Sequence, residues 1–218
     1  MKKDARGIKK VPPLYHFFKR FLDILFSFIF IILLSWLLLI LAILVKCSSK
    51  GPALFKDVRV GKKGKVIKVL KYRSMYIDAE TNIDKYLTPE QKETWIKERK
   101  LDKDPRITKI GRFLRKTSLD ELPQLFNIFG GSMSFVGPRP ITKIELEQHF
   151  TEEEKAILLD AKPGLTGYWQ VYARNDAEFE TGERQRLELA YFQKRGIFFD
   201  IKIVFLTIPA VLKHKGAK

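Results

Sequence analysis

Asp120 and Glu121 are adjacent carboxylates in the run R-K-T-S-L-D-E-L-P-Q-L-F-N, residues 115–127. Arg112, Arg115 and Lys116 precede them closely, and Arg139 follows between Pro138 and Pro140. Neighbouring ionised carboxylates suit Mg2+, a hard cation that binds one or two carboxylates together with substrate phosphates. Arginine forks match phosphate oxygens. Together these residues describe a diphosphate site with a carboxylate available as nucleophile, the aspartyl-phosphate type of covalent catalysis. The plainer reading is a capping box, Ser118-x-x-Glu121, with acids in the first turn of a helix. Three basic neighbours favour the chemical reading.

The elements that must position these groups follow from periodicity. Leu122, Leu125, Phe126 and Phe129 recur at helical spacing, and Gly130-Gly131 stops the run, which predicts a helix with the carboxylates at its start. Val58 to Tyr72 alternates around Gly61-Lys62-Lys63-Gly64 and predicts a β-hairpin. A phosphate-cradling loop is the weaker reading of those glycines, because no helix pattern follows. Thr88-Pro89-Glu90-Gln91 predicts a helix start inside a charged insertion, residues 76–104. Lys162-Pro163-Gly164 marks a turn and Tyr168 to Tyr172 reads as a short strand. Ile197 to Leu212 is an apolar stretch broken by Asp200, Lys202 and Pro209, expected to lie on a membrane or pack beneath the body.

The 218 residues carry a formal net charge of +16, and its location decides its meaning. Residues 1–20 hold seven bases and one acid, and residues 46–75 hold ten bases and one acid. Between them, residues 21–45 contain Asp23 as their one charged residue. The excess thus flanks an apolar run and fits an anionic membrane surface. A nucleic-acid partner would call for a basic excess within a folded domain, interleaved with aromatics. At 1.5 Å per residue the run makes about 37 Å of helix, against roughly 30 Å of bilayer core. A signal peptide is excluded, since Lys46-Cys47-Ser48-Ser49-Lys50 offers no small-residue cleavage site. Two topologies remain, a simple span with a cytoplasmic body and a re-entrant helix. The re-entrant helix keeps both basic flanks inside. Ser35, near the middle, can bond back to a carbonyl and bend the helix. Asp23 must stay at the interface or pair with Lys19 or Arg20. With one cysteine, Cys47, and three scattered histidines, an internal disulfide and a zinc site are excluded.

The segments K-R-F-L-D (19–23), G-P-A-L-F (51–55), K-Y-R-S-M (71–75), D-P-R-I-T-K-I-G (104–111), S-L-D-E-L-P (118–123), V-G-P-R-P (136–140) and K-P-G-L-T-G-Y-W-Q-V (162–171) resemble the bacterial sugar transferase family. These are monotopic polyprenyl-phosphate phosphoglycosyl transferases, and the pattern is most similar to the undecaprenyl-phosphate hexose-1-phosphate transferases. The resemblance runs from about Tyr15 to the C-terminus. It implies transfer of a sugar phosphate from a UDP-sugar to polyprenyl phosphate, with Mg2+ as cofactor and Mn2+ able to substitute. Asp120 and Glu121 then form the catalytic and metal-binding dyad, with Glu121 either positioning the metal or assisting deprotonation of the acceptor. Arg115, Arg139, Arg112 and Lys71 are implied phosphate or nucleotide contacts, and Arg174 a weaker one.

The resemblance also implies an α/β (α+β) fold: a small, mostly helical catalytic domain with a β-hairpin, on a re-entrant membrane helix with interfacial amphipathic helices. Its parts are a basic cytoplasmic segment (1–20), the anchor (21–45) and a catalytic domain at the cytoplasmic face of the bacterial inner membrane (46–218). Lys19, Arg20, Asp23, Ser35 and Trp36 are the expected anchor residues. Expected partners are membrane phospholipid, a second copy of the chain and downstream glycosyltransferases, with no nucleic acid. Two departures stand out. Ser35-Trp36 replaces the Ser-Pro at which the family's anchor kinks, and Ala173-Arg174 and Leu187-Glu188 replace Gly-Arg and Leu-Asp. The competing reading is a non-enzymatic, basic, membrane-anchored scaffold for anionic lipid or acidic partners, which leaves Asp120-Glu121 without a purpose.

Overall fold

The structure, a computed structural model, describes residues 8–98, 101, 103–173, 179 and 181–212. In chain order the elements are α1 (Pro13–Leu33), α2 (Ser35–Ser48), β1 (Leu54–Val60), β2 (Val66–Tyr72), α3 (Ile83–Tyr86), α4 (Pro89–Glu98), α5 (Lys109–Thr117) and α6 (Gln124–Gly130). There follow β3 (Ser134–Val136), α7 (Lys143–His149), α8 (Glu152–Leu158), β4 (Gly164–Thr166), α9 (Tyr168–Tyr172), α10 (Glu183–Lys194) and α11 (Ile197–Leu212). The mixed, mainly helical class with one hairpin is as expected. Two compact units are formed, and they interleave along the chain.

The larger unit takes the described residues of Met1–Leu34, Lys56–Leu70 and Gln124–Gly216. Helix α1 opens on Pro13, whose fixed φ and missing N–H suit a first helical turn. It packs against α6, β3 and α11, and the side chains it buries are Tyr15, Asp23 and Ser27. Asp23 accepts hydrogen bonds from Ser134 Oγ (3.1 Å) and Phe135 N (3.0 Å) at the start of β3. The expected pairing with Lys19 or Arg20 does not form, because both cations have other partners. Lys19 Nζ reaches Asp200 Oδ2 at 2.6 Å, and Arg20 donates to the carbonyls of Ile128 and Phe129 at 2.7 and 2.8 Å. A guanidinium on those orphan carbonyls closes α6 and complements its dipole.

Strands β3 and β4 pair in parallel, Ser134 with Gly164 and Val136 with Thr166. Gly137 and Gly164 permit that approach, since a Cβ on either would overlap the other's backbone or its neighbour's. One core gathers Val136, Ile141, Leu146, Phe150, Tyr191, Phe192 and Ile203. A second gathers Val69, Leu125, Ile128 and Met133. One expectation is corrected here. Tyr168 to Tyr172 is helix α9 rather than a strand, with Ala173 N donating to Trp169 O. The rings of Tyr168 and Tyr172 meet at a tilt with centroids 4.6 Å apart, the i, i+4 contact of a helical turn. The stretch 197–212 is one helix that runs through Pro209 and packs against α1, α9, β3 and β4, in keeping with a segment beneath the body; Asp200 is buried on its inner face.

The smaller unit takes Ser35–Phe55 and Lys71–Pro123. Its core joins Leu38, Leu41 and Val45 of α2 to Tyr72 and Leu114, and the Tyr72 hydroxyl donates to Leu38 O at 2.6 Å. Arg73 donates to the carbonyls of Ser49 and Lys50, tying the end of β2 to the chain just after α2. Thr88 and Gln91 exchange hydrogen bonds at the start of α4, which is the predicted helix start.

Between α1 and α2 the chain leaves helical geometry at Leu34 (φ −99°, ψ 8°), one residue ahead of Ser35-Trp36. Among the described residues no single helix is long and apolar enough to cross a membrane; α1 and α2 meet that measure only as a bent pair. Phe17 and Phe21 on α1 and Trp36 and Leu39 on α2 are more than half exposed.

Asp200 also accepts from the hydroxyls of Tyr15 (2.8 Å) and Tyr191 (3.2 Å). Burial and this carboxylate hold both phenols well above their usual pKa. Asp200→Ala strands two buried hydroxyls and a largely buried ammonium, so chemical denaturation should show a loss of about 3 kcal/mol. Loss below 1 kcal/mol would show the cluster to be dispensable.

Candidate active site

The D-P-R-I-T-K-I-G segment builds the platform under the carboxylates. Asp104 binds the side chain and backbone N of the buried Arg106, whose guanidinium lies 4.9 Å from the Trp95 ring. Thr108 caps α5, its Oγ1 accepting from Gly111 N at 2.9 Å. Thr108 N donates to Ser74 O. Gly111 presses on the same carbonyl so closely that any Cβ would overlap it. That approach brings α5 against the strand end, and Arg115 Nε donates to Ser74 Oγ at 2.8 Å.

Helix α5 ends at Ser118, a non-glycine residue in the left-handed region (φ 56°). Such a conformation costs on the order of 1 kcal/mol. Asp120 and Glu121 follow on a 3-10 turn, Leu119–Glu121, ahead of α6 rather than in its first turn. The capping-box reading fails: the Ser118 side chain caps nothing, and Glu121 N donates to the Ser118 carbonyl. The apolar face of α6 also differs from expectation, with Leu125 and Ile128 buried and Phe126 and Phe129 exposed.

Asp120 is half-buried and its pKa is pushed up to about 6. Burial is the largest cause and the neighbouring Glu121 the second, against the pull of Lys71 and Arg115. Arg115 is lowered from its usual value by burial, partly offset by Asp120 and Asp104. Asp120, Glu121, Arg115 and Lys71 are thus brought together in the smaller unit. Arg112 is exposed on α5, and Lys71 and Arg115 are the leading cations in the field at Asp120. Two adjacent carboxylates, one of them strained by burial and by the other's charge, fit a divalent cation that would relieve both effects.

Arg139 lies in the larger unit. Its backbone N donates to Glu188 Oε2 at 3.1 Å, and its Nη1 to Glu145 Oε1 at 3.4 Å. The Arg184 guanidinium lies over the rings of Trp169 and Phe179, at 4.4 and 3.8 Å from their centroids. Burial lowers Arg184 to about 10 and raises Glu188 to about 7. Arg184 Nε and Glu188 Oε1 are buried without a hydrogen bond among the described residues. Glu188 marks one of the two departures named above, whereas Glu145 and Arg184 carry no signal of their own in the motifs. Arg184 and Glu188 stand four apart on α10, a pairing visible in the sequence. Arg174 and the residues after it to 178 lie outside the described residues.

The bacterial sugar transferase sequence profile matches residues 14–214. The chain belongs to the bacterial sugar transferase family. An uncharacterized sugar transferase of Haemophilus influenzae is 44% identical over 201 residues, spanning 91% of this chain and 42% of that protein. The exopolysaccharide production protein ExoY of Rhizobium meliloti is 40% identical over 209 residues, with 95% and 91% covered. The undecaprenyl-phosphate galactose phosphotransferase of Salmonella typhimurium is 42% identical over 203 residues, with 92% and 42% covered. The chain therefore spans less than half of the Haemophilus and Salmonella proteins and nearly all of ExoY. The family match contains both the S-L-D-E-L-P turn and the V-G-P-R-P segment.

The raised Asp120 has a consequence for stability. A carboxyl whose pKa is higher folded than unfolded destabilises the fold when ionised, a cost present in full above pH 6 and relieved as pH falls toward 4. Asp120→Asn in metal-free buffer should therefore be more stable than wild type at pH 8, by on the order of 2 kcal/mol, and no more stable at pH 4. Equal stabilities at pH 8, measured by denaturant titration, would contradict this.

Proposed function

We propose that the protein transfers a sugar 1-phosphate from a UDP-sugar to polyprenyl (undecaprenyl) phosphate, releasing UMP and forming a polyprenyl diphosphosugar. The reaction would serve polysaccharide assembly at the cytoplasmic face of a bacterial inner membrane. The name of the Salmonella relative supports the lipid acceptor and a hexose such as galactose, and that of the Rhizobium relative supports exopolysaccharide production. One observation of this chain carries the mechanism: a half-buried carboxylate, Asp120, stands beside a second carboxylate, within the fields of Arg115 and Lys71.

The chemistry then divides into two displacements. An Asp120 carboxylate oxygen attacks the β-phosphorus of the UDP-sugar, and the bond to the bridging oxygen breaks with UMP as leaving group. An oxygen of the polyprenyl phosphate next attacks the same phosphorus and breaks its bond to Asp120, regenerating the carboxylate. Arg115, held by Ser74 Oγ, offsets charge on the phosphoryl oxygens, and Lys71 adds a second cation. Asp120 and Glu121 would hold Mg2+, or Mn2+ in its place, which supplies charge neutralisation at the diphosphate. Glu121 acts either in that role or as the base for the acceptor. Arg139, fixed through Glu188 and Glu145, is assigned to phosphate or nucleotide. The break at Leu34 supports an anchor that enters and leaves by one face.

With UDP-galactose, undecaprenyl phosphate and Mg2+, wild type should release UMP and Asp120→Asn should lose at least about a thousandfold in kcat/KM. Because Asp120 must be ionised to attack, kcat/KM should fall as pH drops through its carboxyl pKa, which bound Mg2+ would hold below the metal-free value of about 6. Wild-type turnover by Asp120→Asn would refute the assignment of the nucleophile.

A further inference from the structure

A second charged site lies wholly within the larger unit, in a cavity of about 230 Å3 beside the first turns of α1. That is far more than the roughly 30 Å3 one water occupies in the liquid. Five basic side chains line it, Lys19, Arg20, Lys62, Lys162 and Arg195, against two acids, Asp23 and Asp160. Three of the five are engaged. Lys19 is paired with Asp200, Arg20 with the carbonyls ending α6, and Arg195 with Asp160 at 2.7 Å. The ammonium groups of Lys62 and Lys162 have neither a hydrogen bond nor an ion pair among the described residues.

The excess of positive charge is felt by its neighbours. Burial and the charges of Arg20, Lys62 and Lys19 hold the Lys162 ammonium below its usual pKa, with Asp23 partly offsetting them. Burial, Lys62 and Arg195 hold His16 low and hence neutral. Lys62 comes from the Gly61-Lys62-Lys63-Gly64 turn, which the transfer reaction leaves unused. Lys63 adopts φ 59° and donates its N–H to Leu159 O at 2.8 Å, fixing the turn against the chain that leads to Asp160 and Lys162. A half-enclosed cavity with uncompensated ammonium groups calls for an anion with several acceptor oxygens. On the same stretch of α1, Leu14, Phe17, Phe18 and Phe21 are exposed. Exposed aromatics beside lysine and arginine mark a surface that meets the headgroup level of a membrane.

We propose that this cavity binds a phosphate group, that of an anionic phospholipid headgroup, with Lys62 and Lys162 as the recognising cations. It fixes the start of α1 on the membrane surface and is independent of the carboxylate chemistry, since no residue of the smaller unit lines it.

The test uses the full chain in neutral detergent, titrated by native mass spectrometry with short-chain phosphatidylglycerol, and with the matching diacylglycerol, which lacks phosphate. Inorganic phosphate is titrated separately by thermal shift. Phosphatidylglycerol should bind and diacylglycerol should not. Lys62→Ser with Lys162→Ser should weaken phosphatidylglycerol binding at least about tenfold, the scale of lost charge-assisted hydrogen bonds. Lys65→Ser with Lys68→Ser, which removes the same charge from exposed hairpin positions, should change it less than twofold. The pocket variant should melt no lower than wild type without ligand, because it relieves repulsion between like charges. Lys162→Arg, which keeps the charge, should retain binding. Equal affinity in the pocket and control variants would overturn the proposal. So would inorganic phosphate binding as tightly as phosphatidylglycerol, which would make the cavity a free-ion site, or loss of binding by a folded Lys162→Arg.

Discussion

Asp120 is held partly out of water next to a second carboxylate, and the smaller unit is arranged around the cost of doing so. Desolvation and Glu121 both resist its ionisation, and only fixed positive charge makes the anion available near neutral pH. Arg115 supplies part of that charge, but a guanidinium on a short helix is useful only if it is held still. Ser74 Oγ holds its Nε, and Ser74 O is also where Thr108 and Gly111 meet the strand end. The absence of a side chain at Gly111 thus determines how close α5 comes, and so where Arg115 stands. The Asp104–Arg106 pair and the Thr108 cap fix the start of the same helix. Ser118, in left-handed geometry, turns the chain so that the carboxylates leave α5 on their own 3-10 turn.

The larger unit shows a different use of charge. Its helix α1 is apolar along most of its exposed surface, yet Tyr15, Asp23 and Ser27 face inward. Asp23 receives the start of β3, Arg20 closes α6, and Lys19 with two tyrosines converges on Asp200. Each of these buried groups on α1 is matched, as the low dielectric demands. The K-R-F-L-D segment thus does more than open an apolar run: it locks α1 onto α6, β3 and α11. Tight backbone passage at Gly137 and Gly164 sets the parallel pair that Asp23 caps.

Local signals in the sequence were legible where one short stretch carries the whole message. The hairpin around Gly61 to Gly64, the Thr88 helix start and the meeting of Asp120-Glu121 with Arg115 are of this kind. Tyr168 to Tyr172 was not, since five residues of aromatic and apolar type fit a strand as well as one helical turn, and Gly167 decides only in context. Ser118-x-x-Glu121 has the letters of a capping box, but the preceding helix ends in a left-handed serine that directs its hydroxyl elsewhere. The pairing of Asp23 with Ser134 and Phe135, and the Arg139–Glu145–Arg184–Glu188 cluster, join positions far apart in sequence. No window of residues could have shown them, although the i, i+4 spacing of Arg184 and Glu188 hinted at the latter.

The proposed reaction requires Asp120 to become covalently bonded to the phosphosugar, and that bond is open to direct observation. Wild-type protein mixed with UDP-galactose and Mg2+ without lipid acceptor, quenched in acid within milliseconds, can be weighed intact and then digested. The protein should carry an adduct of one hexose phosphate, located on the peptide containing Asp120, that disappears when undecaprenyl phosphate is added. An adduct on another residue, or UMP released in a first burst with no adduct on the protein, would contradict the proposed reaction.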